Sequence, residues 1–232
     1  DMLVLVLCFC LVIGGAWFGK NSGEAAEQAF AAAEAGGFQL VLDAGHGGED
    51  GGALSAAGDK ESNVNLSIVL RMDQLLGLCG VLPILTRSED VSIYDAGAST
   101  LREKKVSDIH NRVALVESQP SPLLVSIHQN SYPDARYSGA QVFYGQTEES
   151  RIWGEAAQEI LRQCLDENNS RAAKRIPDTV YLMNHISCPA ILVECGFMSN
   201  REEAAQLQTP EYQKKLAAAL TGACLQYIHS DT

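Results

Sequence analysis

Two histidines and two glutamates stand where this chain could do chemistry. His46 follows a short apolar run and sits inside a glycine-rich stretch, Val41–Ala53, VLDAGHGGEDGGA. His128 closes a second apolar run and Glu194 a third, while Glu61 comes just after the glycine stretch, at the head of a helical segment. Imidazoles and carboxylates gathered from separate strands suit a catalytic zinc. Three protein ligands leave one position for water, and the ion lowers that water's pKa to about 7. A further carboxylate can then act as base. A lone histidine at a strand end is also a common structural residue, and from spacing alone both readings stand.

Cys195, next to Glu194, offers a competing chemistry, that of a thiol nucleophile. Neighbours on a strand point to opposite faces, so only one of the two can face a site, and a small core residue is the simpler reading of the cysteine. His110, His185 and His229 read as surface residues. Glycines 45, 47, 48, 51 and 52 let the backbone turn tightly around His46. A phosphate cradle is not favoured, because the GKS or GKT ending of a P-loop is absent.

The elements that must position these residues alternate along the chain. Strands are expected at Phe38–Leu42, Val81–Thr86, Leu123–His128, Gly139–Tyr144, Val180–Met183 and Ala190–Glu194, and Pro83 favours an edge position for the second. Val64, Ile68, Val69, Met72, Leu75, Leu76 and Cys79 recur at helical spacing until Gly80 stops them. Further helices follow at Val106–Val116 and Ile152–Leu165. Asn200 caps a short helix with Glu203 three residues on, and Thr209-Pro210 opens the last, with Tyr212, Leu216, Leu220 and Tyr227 inward. The pattern predicts a single α/β domain: a mostly parallel twisted sheet with helices on both faces and its site at the carboxyl ends of strands.

Lys+Arg is 17 against Asp+Glu 29, a formal charge of −12. A nucleic-acid binder needs a basic face to displace counterions, so that class is excluded. The 46% hydrophobic content fits a globular chain rather than a polytopic membrane protein. The seven cysteines include no CxxC pair, which argues against a disulfide framework or a cysteine zinc site. Met2–Phe18 is an uncharged apolar run of 17 residues, near the lower limit of about 17 for a spanning helix. Residues 1–20 therefore read as a signal peptide or membrane anchor, 21–37 as a flexible linker and 38–232 as the catalytic domain. An anchored or exported protein, extracytoplasmic, is the expectation.

Four stretches, taken together, carry more than any one: VLDAGHGGEDGGA at 41–53, Lys60–Leu66, Val125-Ser126-Ile127-His128-Gln129-Asn130, and Leu192–Asn200. In this order and spacing the chain resembles the zinc-dependent N-acetylmuramoyl-L-alanine amidases of bacterial cell walls, from Phe38 to about Ile228. Leu101–Asp108, Ser138–Tyr144 and Arg171–Ile176 look like the sporulation-specific, CwlD-type branch, which strips stem peptides toward muramic-δ-lactam in spore cortex. The resemblance implies that His46, Glu61 and His128 bind one Zn2+ and that Glu194 is the catalytic acid/base. It implies peptidoglycan as substrate and allows an activating membrane lipoprotein as partner. Asn130, Lys174 and Arg175 are candidates for substrate contact, although a solvated basic turn explains the last two equally well. Gln129 and Cys195 depart from the residues more usual at those places. A cysteine-type wall amidase or peptidase, and a catalytically silent wall-binding protein, are the competing readings.

Overall fold

The computed structural model describes residues 37–230. The apolar N-terminal run and its linker, with the anchor, cleavage and export expectations attached to them, lie outside the described residues. One six-stranded sheet forms the centre, in the order β2-β1-β3-β6-β4-β5. Its strands are β1 (Gln39–Ala44), β2 (Ile84–Leu85), β3 (Pro122–Asn130), β4 (Gln141–Tyr144), β5 (Lys174–Arg175) and β6 (Ala190–Phe197). β2, β1, β3 and β6 run parallel, β4 pairs antiparallel with β6, and β5 pairs parallel with β4. β2 lies at an edge, as Pro83 foretells.

Strand alternation sorts the side chains into two layers. Leu40, Leu42, Leu123, Val125, Ile127, Ile191, Val193 and Cys195 face one side. They meet helices α1 (Glu61–Leu78), α3 (Glu148–Leu165) and α6 (Pro210–Ser230), through residues such as Ile68, Met72, Trp153, Leu216 and Leu220. Trp153 stacks on Tyr227 with ring centroids 4.6 Å apart. Val41, Leu124, Ala190 and Leu192 face the other side, against Val116 of α2 (Leu101–Glu117) and Leu182 and Met183 of α4 (Tyr181–Asn184). The second layer stops short of the strands' carboxyl ends, and there the inward residues turn polar: Asp43, Ser126, His128 and Glu194. Among the described residues no helix is long and apolar enough to cross a membrane.

Three local expectations are corrected. The segment Val180–Met183 is not a strand. Its backbone closes on itself rather than on a neighbouring strand, with Val180 N–H bonded to Pro177 O and Asn184 N–H to Val180 O. A short helix results. The helix expected from Val106 begins at Leu101, where Thr100 and Glu103 form a reciprocal capping box. At α5 (Arg201–Leu207), Asn200 does cap, accepting from Glu202 and Glu203 N–H, but Glu203 does not reach back. Its carboxylate accepts instead from Gly139 N–H and Phe197 N–H, each at 2.8 Å, tying the loop before β4 to the end of β6.

Candidate active site

His46 leaves β1 two residues beyond its end, His128 lies near the end of β3, and Glu61 heads α1. A helix start is where a carboxylate is favoured by the helix dipole. Glu61 is 3% exposed, and its position is fixed by hydrogen bonds rather than by packing. Oε2 accepts from Ala53 N–H at 2.8 Å, while Oε1 accepts from Gln129 N–H at 3.0 Å and from the Asn65 amide at 3.2 Å. Oε1 also lies 3.4 Å from His46 Nε2 and 3.0 Å from His128 Nδ1. One ligand atom from each of the three residues falls within 4.8 Å of the others. His46 uses its remaining nitrogen on Asp50, Nδ1 to Oδ2 at 2.9 Å, which sets the ring's orientation and tautomer.

The electrostatics match a site built for a cation. Burial opposes charge on His46, yet Asp50 and Glu61 outweigh it and raise the imidazole to about 9. Burial likewise opposes ionisation of Glu61, and the two imidazoles more than reverse that, holding the carboxyl well below its usual range. Glu194 behaves differently. Burial raises it to about 7, partly offset by His128 and His46, and its Oε2 is a buried oxygen with no hydrogen-bond partner. The register pairs Glu194 with His128, so the two side chains share a face. An unpartnered buried carboxylate oxygen beside a three-ligand cluster is placed to hold a proton in transit.

His46 has φ 62, a left-handed conformation rare for a residue with a Cβ. Such a residue costs about 1–3 kcal/mol and persists only where its surroundings over-determine it. Here two buried arginines do so. Arg112 donates to Ala44 O and His46 O, and Arg87 to Ala44 O, Gly45 O and Ser62 O, all between 2.8 and 3.1 Å. Arg112 is in turn paired with Asp43 at 2.5 Å and Asp108 at 2.7 Å. Asp43 completes its shell with Ser126 and Thr86 hydroxyls.

Two glycines are required for space against the cluster's own side chains. A Cβ on Gly45 would sit 2.2 Å from His128 Nε2. One on Gly52, itself at φ +68, would sit 2.5 Å from Glu61 Oε2 and 2.7 Å from His46 Cδ2. Gly45→Ala is accordingly expected to push the His128 ring off its position and lower metal affinity, while changing global stability far less. Zinc titration of the variant checks this; unchanged affinity would show that the ring relocates freely.

The structure thus brings together His46, Glu61, His128 and Glu194. Cys195 lies in the opposite layer, fully buried, with burial pushing its thiol well above the ordinary range. That is the reverse of what a thiolate nucleophile needs. His110, His185 and His229 are exposed. Asn130 ends β3 at the same edge as the cluster. Lys174 and Arg175 are exposed on β5, opposite Phe143 and Tyr144, and β4 separates them from β6. The sequence reading missed Asp50, Asn65, Gln129, Asp43, Arg87 and Arg112. Asn65 was findable, standing four residues after Glu61 on one helix face. Arg112 was too, since it shares the apolar stripe of Ile109, Val113 and Val116, where a charge needs a buried partner.

Two imidazoles and a carboxylate aimed at one point, with a second carboxylate unpartnered beside them, form the donor set of hydrolases that use a metal to activate water. The chain belongs to the N-acetylmuramoyl-L-alanine amidase family, whose model matches residues 40–226. It is similar to the germination-specific N-acetylmuramoyl-L-alanine amidase of Bacillus subtilis (strain 168), 39% identical over 192 residues that cover 82% of this chain and 79% of that protein. Among solved structures it resembles the CwlD amidase of Clostridioides difficile in complex with the GerS lipoprotein, at 35% identity and a TM-score of 0.79, covering 84% of this chain and 99% of that one. The amidase AmiC2 of Nostoc punctiforme matches at 29% identity and a TM-score of 0.65, over 83% of this chain and 97% of its own. The protein is an amidase, hydrolysing the bond between N-acetylmuramic acid and L-alanine.

Proposed function

We propose that this amidase is zinc-dependent, acts on peptidoglycan outside the cytoplasm and serves spore cortex maturation. The convergence of His46, Glu61 and His128 on one point carries the metal assignment. Two histidines and one glutamate are an established ligand set for catalytic zinc, and they leave a coordination position open. When bound, zinc supplies the Lewis acidity that activates water and polarises the amide carbonyl. The chain's own residues do the rest. Glu194 takes the proton of the attacking water on Oε2 and delivers it to the departing L-alanine nitrogen. Asp50 holds the His46 ring, and Arg87 and Arg112 hold the backbone that carries it. Asn130, at the same sheet edge, is the substrate contact best placed; Lys174 and Arg175 are set two strands from Glu194.

The cortex role rests on similarity to the germination-specific and CwlD enzymes, and the second of these supports a membrane lipoprotein as partner. Residues 1–20 would carry the domain across a membrane and anchor or release it. Protease added to intact protoplasts should then degrade the domain, and degradation only after lysis would refute export.

The reaction is tested on purified peptidoglycan. Peptide-free muramic acid and new amino-terminal L-alanine should appear together, cease with chelator and return with zinc. New reducing sugar ends would instead mean glycosidase chemistry, which relies on a carboxylate pair. Indifference to chelation would remove the metal from the reading.

A further inference from the structure

We infer that Tyr132 and Tyr137 form a stacking platform for a neutral sugar ring of the glycan strand, beside the point of cleavage. Both tyrosines lie in the 131–140 loop that leaves β3 at the carboxyl edge of the sheet, the edge that carries the His46, Glu61 and His128 cluster. They are half exposed, at 52% and 47%. Large apolar rings left open to water in a group mark binding surfaces more often than isolated ones do.

The pair is held rigid. The rings meet edge to face with centroids 4.9 Å apart. Tyr137 in turn lies nearly parallel to the buried Phe197, at 6.2 Å. The Arg171 guanidinium sits 4.5 Å over Phe197 and 5.8 Å from Tyr137, and is fixed by bonds to Ser138 O and Gln141 Oε1. Tyr132 N–H donates to Ser199 Oγ, and the far end of the loop is pinned by Glu203 at Gly139. A platform already ordered loses little freedom when a ligand lands on it.

Its place relative to the chemistry follows from register. Gln141 pairs with Glu194 across β4 and β6, so both side chains share a face, and Arg171 reaches that face through Gln141. Tyr132 is four residues beyond His128, hence at most about 14 Å away by Cα. That span is the length of a few linked sugars. A pyranose presents a face of weakly positive C–H bonds, which an aromatic ring's negative face attracts. The occupant's charge is also constrained. The loop itself adds no net charge beside the rings, Asp134 and Arg136 being paired with each other, which suits a neutral sugar face.

This inference rests on the reading that the muramoyl group is presented within a polymeric glycan. The test uses the full chain carrying Glu194→Gln and two probes, a neutral β-1,4-linked N-acetylglucosamine oligosaccharide as the glycan and free stem peptide, with binding followed by calorimetry. Adding Tyr132→Ala and Tyr137→Ala should weaken glycan binding about tenfold, a loss of the size seen when a stacking ring is removed. Stem-peptide binding and zinc content should stay unchanged. Tyr132→Phe with Tyr137→Phe should retain affinity, because the rings rather than the hydroxyls act. Tyr132→Ala alone, whose ring meets that of Tyr137 and no other among the described residues, gives the same answer should the double variant be unstable. Glycan binding unaffected by ring removal, no glycan binding by the parent, or a loss confined to stem peptide would each overturn the inference. Ring-dependent glycan binding by a wild-type chain that releases no peptide would sink the functional reading and leave the platform standing.

Discussion

Glu194→Gln should lower amidase turnover by about 10²–10⁴-fold, the usual loss when a general base is removed, while zinc content stays at the wild-type level. The substitution preserves shape and removes only the capacity to take a proton. Retention of metal follows because Glu194 is not one of the three converging ligands. The wild-type pH profile should show an acid limb at or below 7. Burial raises Glu194 to about 7, and a bound divalent cation favours the ionised form and moves the limb lower. As pH falls through that value the base protonates and activity is lost, and the variant should lack this limb. Cys195→Ala provides the contrast. Its thiol lies in the hydrophobic layer on the other side of the sheet, so most activity should survive. A dead Cys195→Ala with full metal content would displace Glu194 as the reactive group.

Asp43→Asn should cost about 3 kcal/mol of folding stability, the lower end of what breaking one partner of a buried ion pair usually removes. Asp43 is 1% exposed and Arg112 2%, so neither charge can turn to water. The figure sits at the low end because Arg112 keeps Asp108. Burial by itself would raise the Asp43 carboxyl, but Arg112, with the Ser126 and Thr86 hydroxyls, holds it below 3.8. Its folded value being depressed, this contribution is full above 3.8 and is lost as pH falls through the folded value. Denaturant unfolding of the two proteins at neutral pH measures the difference, and a loss under 1 kcal/mol would mean that the arginine re-pairs. Because the same guanidinium holds Ala44 O and His46 O, zinc affinity should fall as well.

The sheet and its helices were legible because their signals are local. Apolar runs of strand length alternate with segments of helical period, and Pro83 marked an edge. The four candidate site residues were picked out by the words around them rather than by spacing, since His46 and Glu194 are brought together only by the sheet. What could not be read was the support. Asp50, Arg87 and Asp43 act across long sequence separations or within a loop whose path no period encodes. Glu203 obeyed the capping-box pattern in sequence yet served Gly139 and Phe197, because two orphaned N–H groups from elsewhere competed for its oxygens. Val180–Met183 failed for a related reason: a short apolar run gives no period long enough to tell a strand from one helical turn.

Both outer strands of the sheet, β2 and β5, are two residues long, and β5 exposes Lys174 and Arg175 side by side. An open strand edge offers unpaired N–H and C=O groups to any extended chain that comes near, its own copies included. Short edges give such a chain almost nothing to zip onto, and two adjacent cations on one of them make a flat approach unfavourable. This protection rests on geometry and charge alone. Whatever else Lys174 and Arg175 touch, they also guard the sheet from becoming a template.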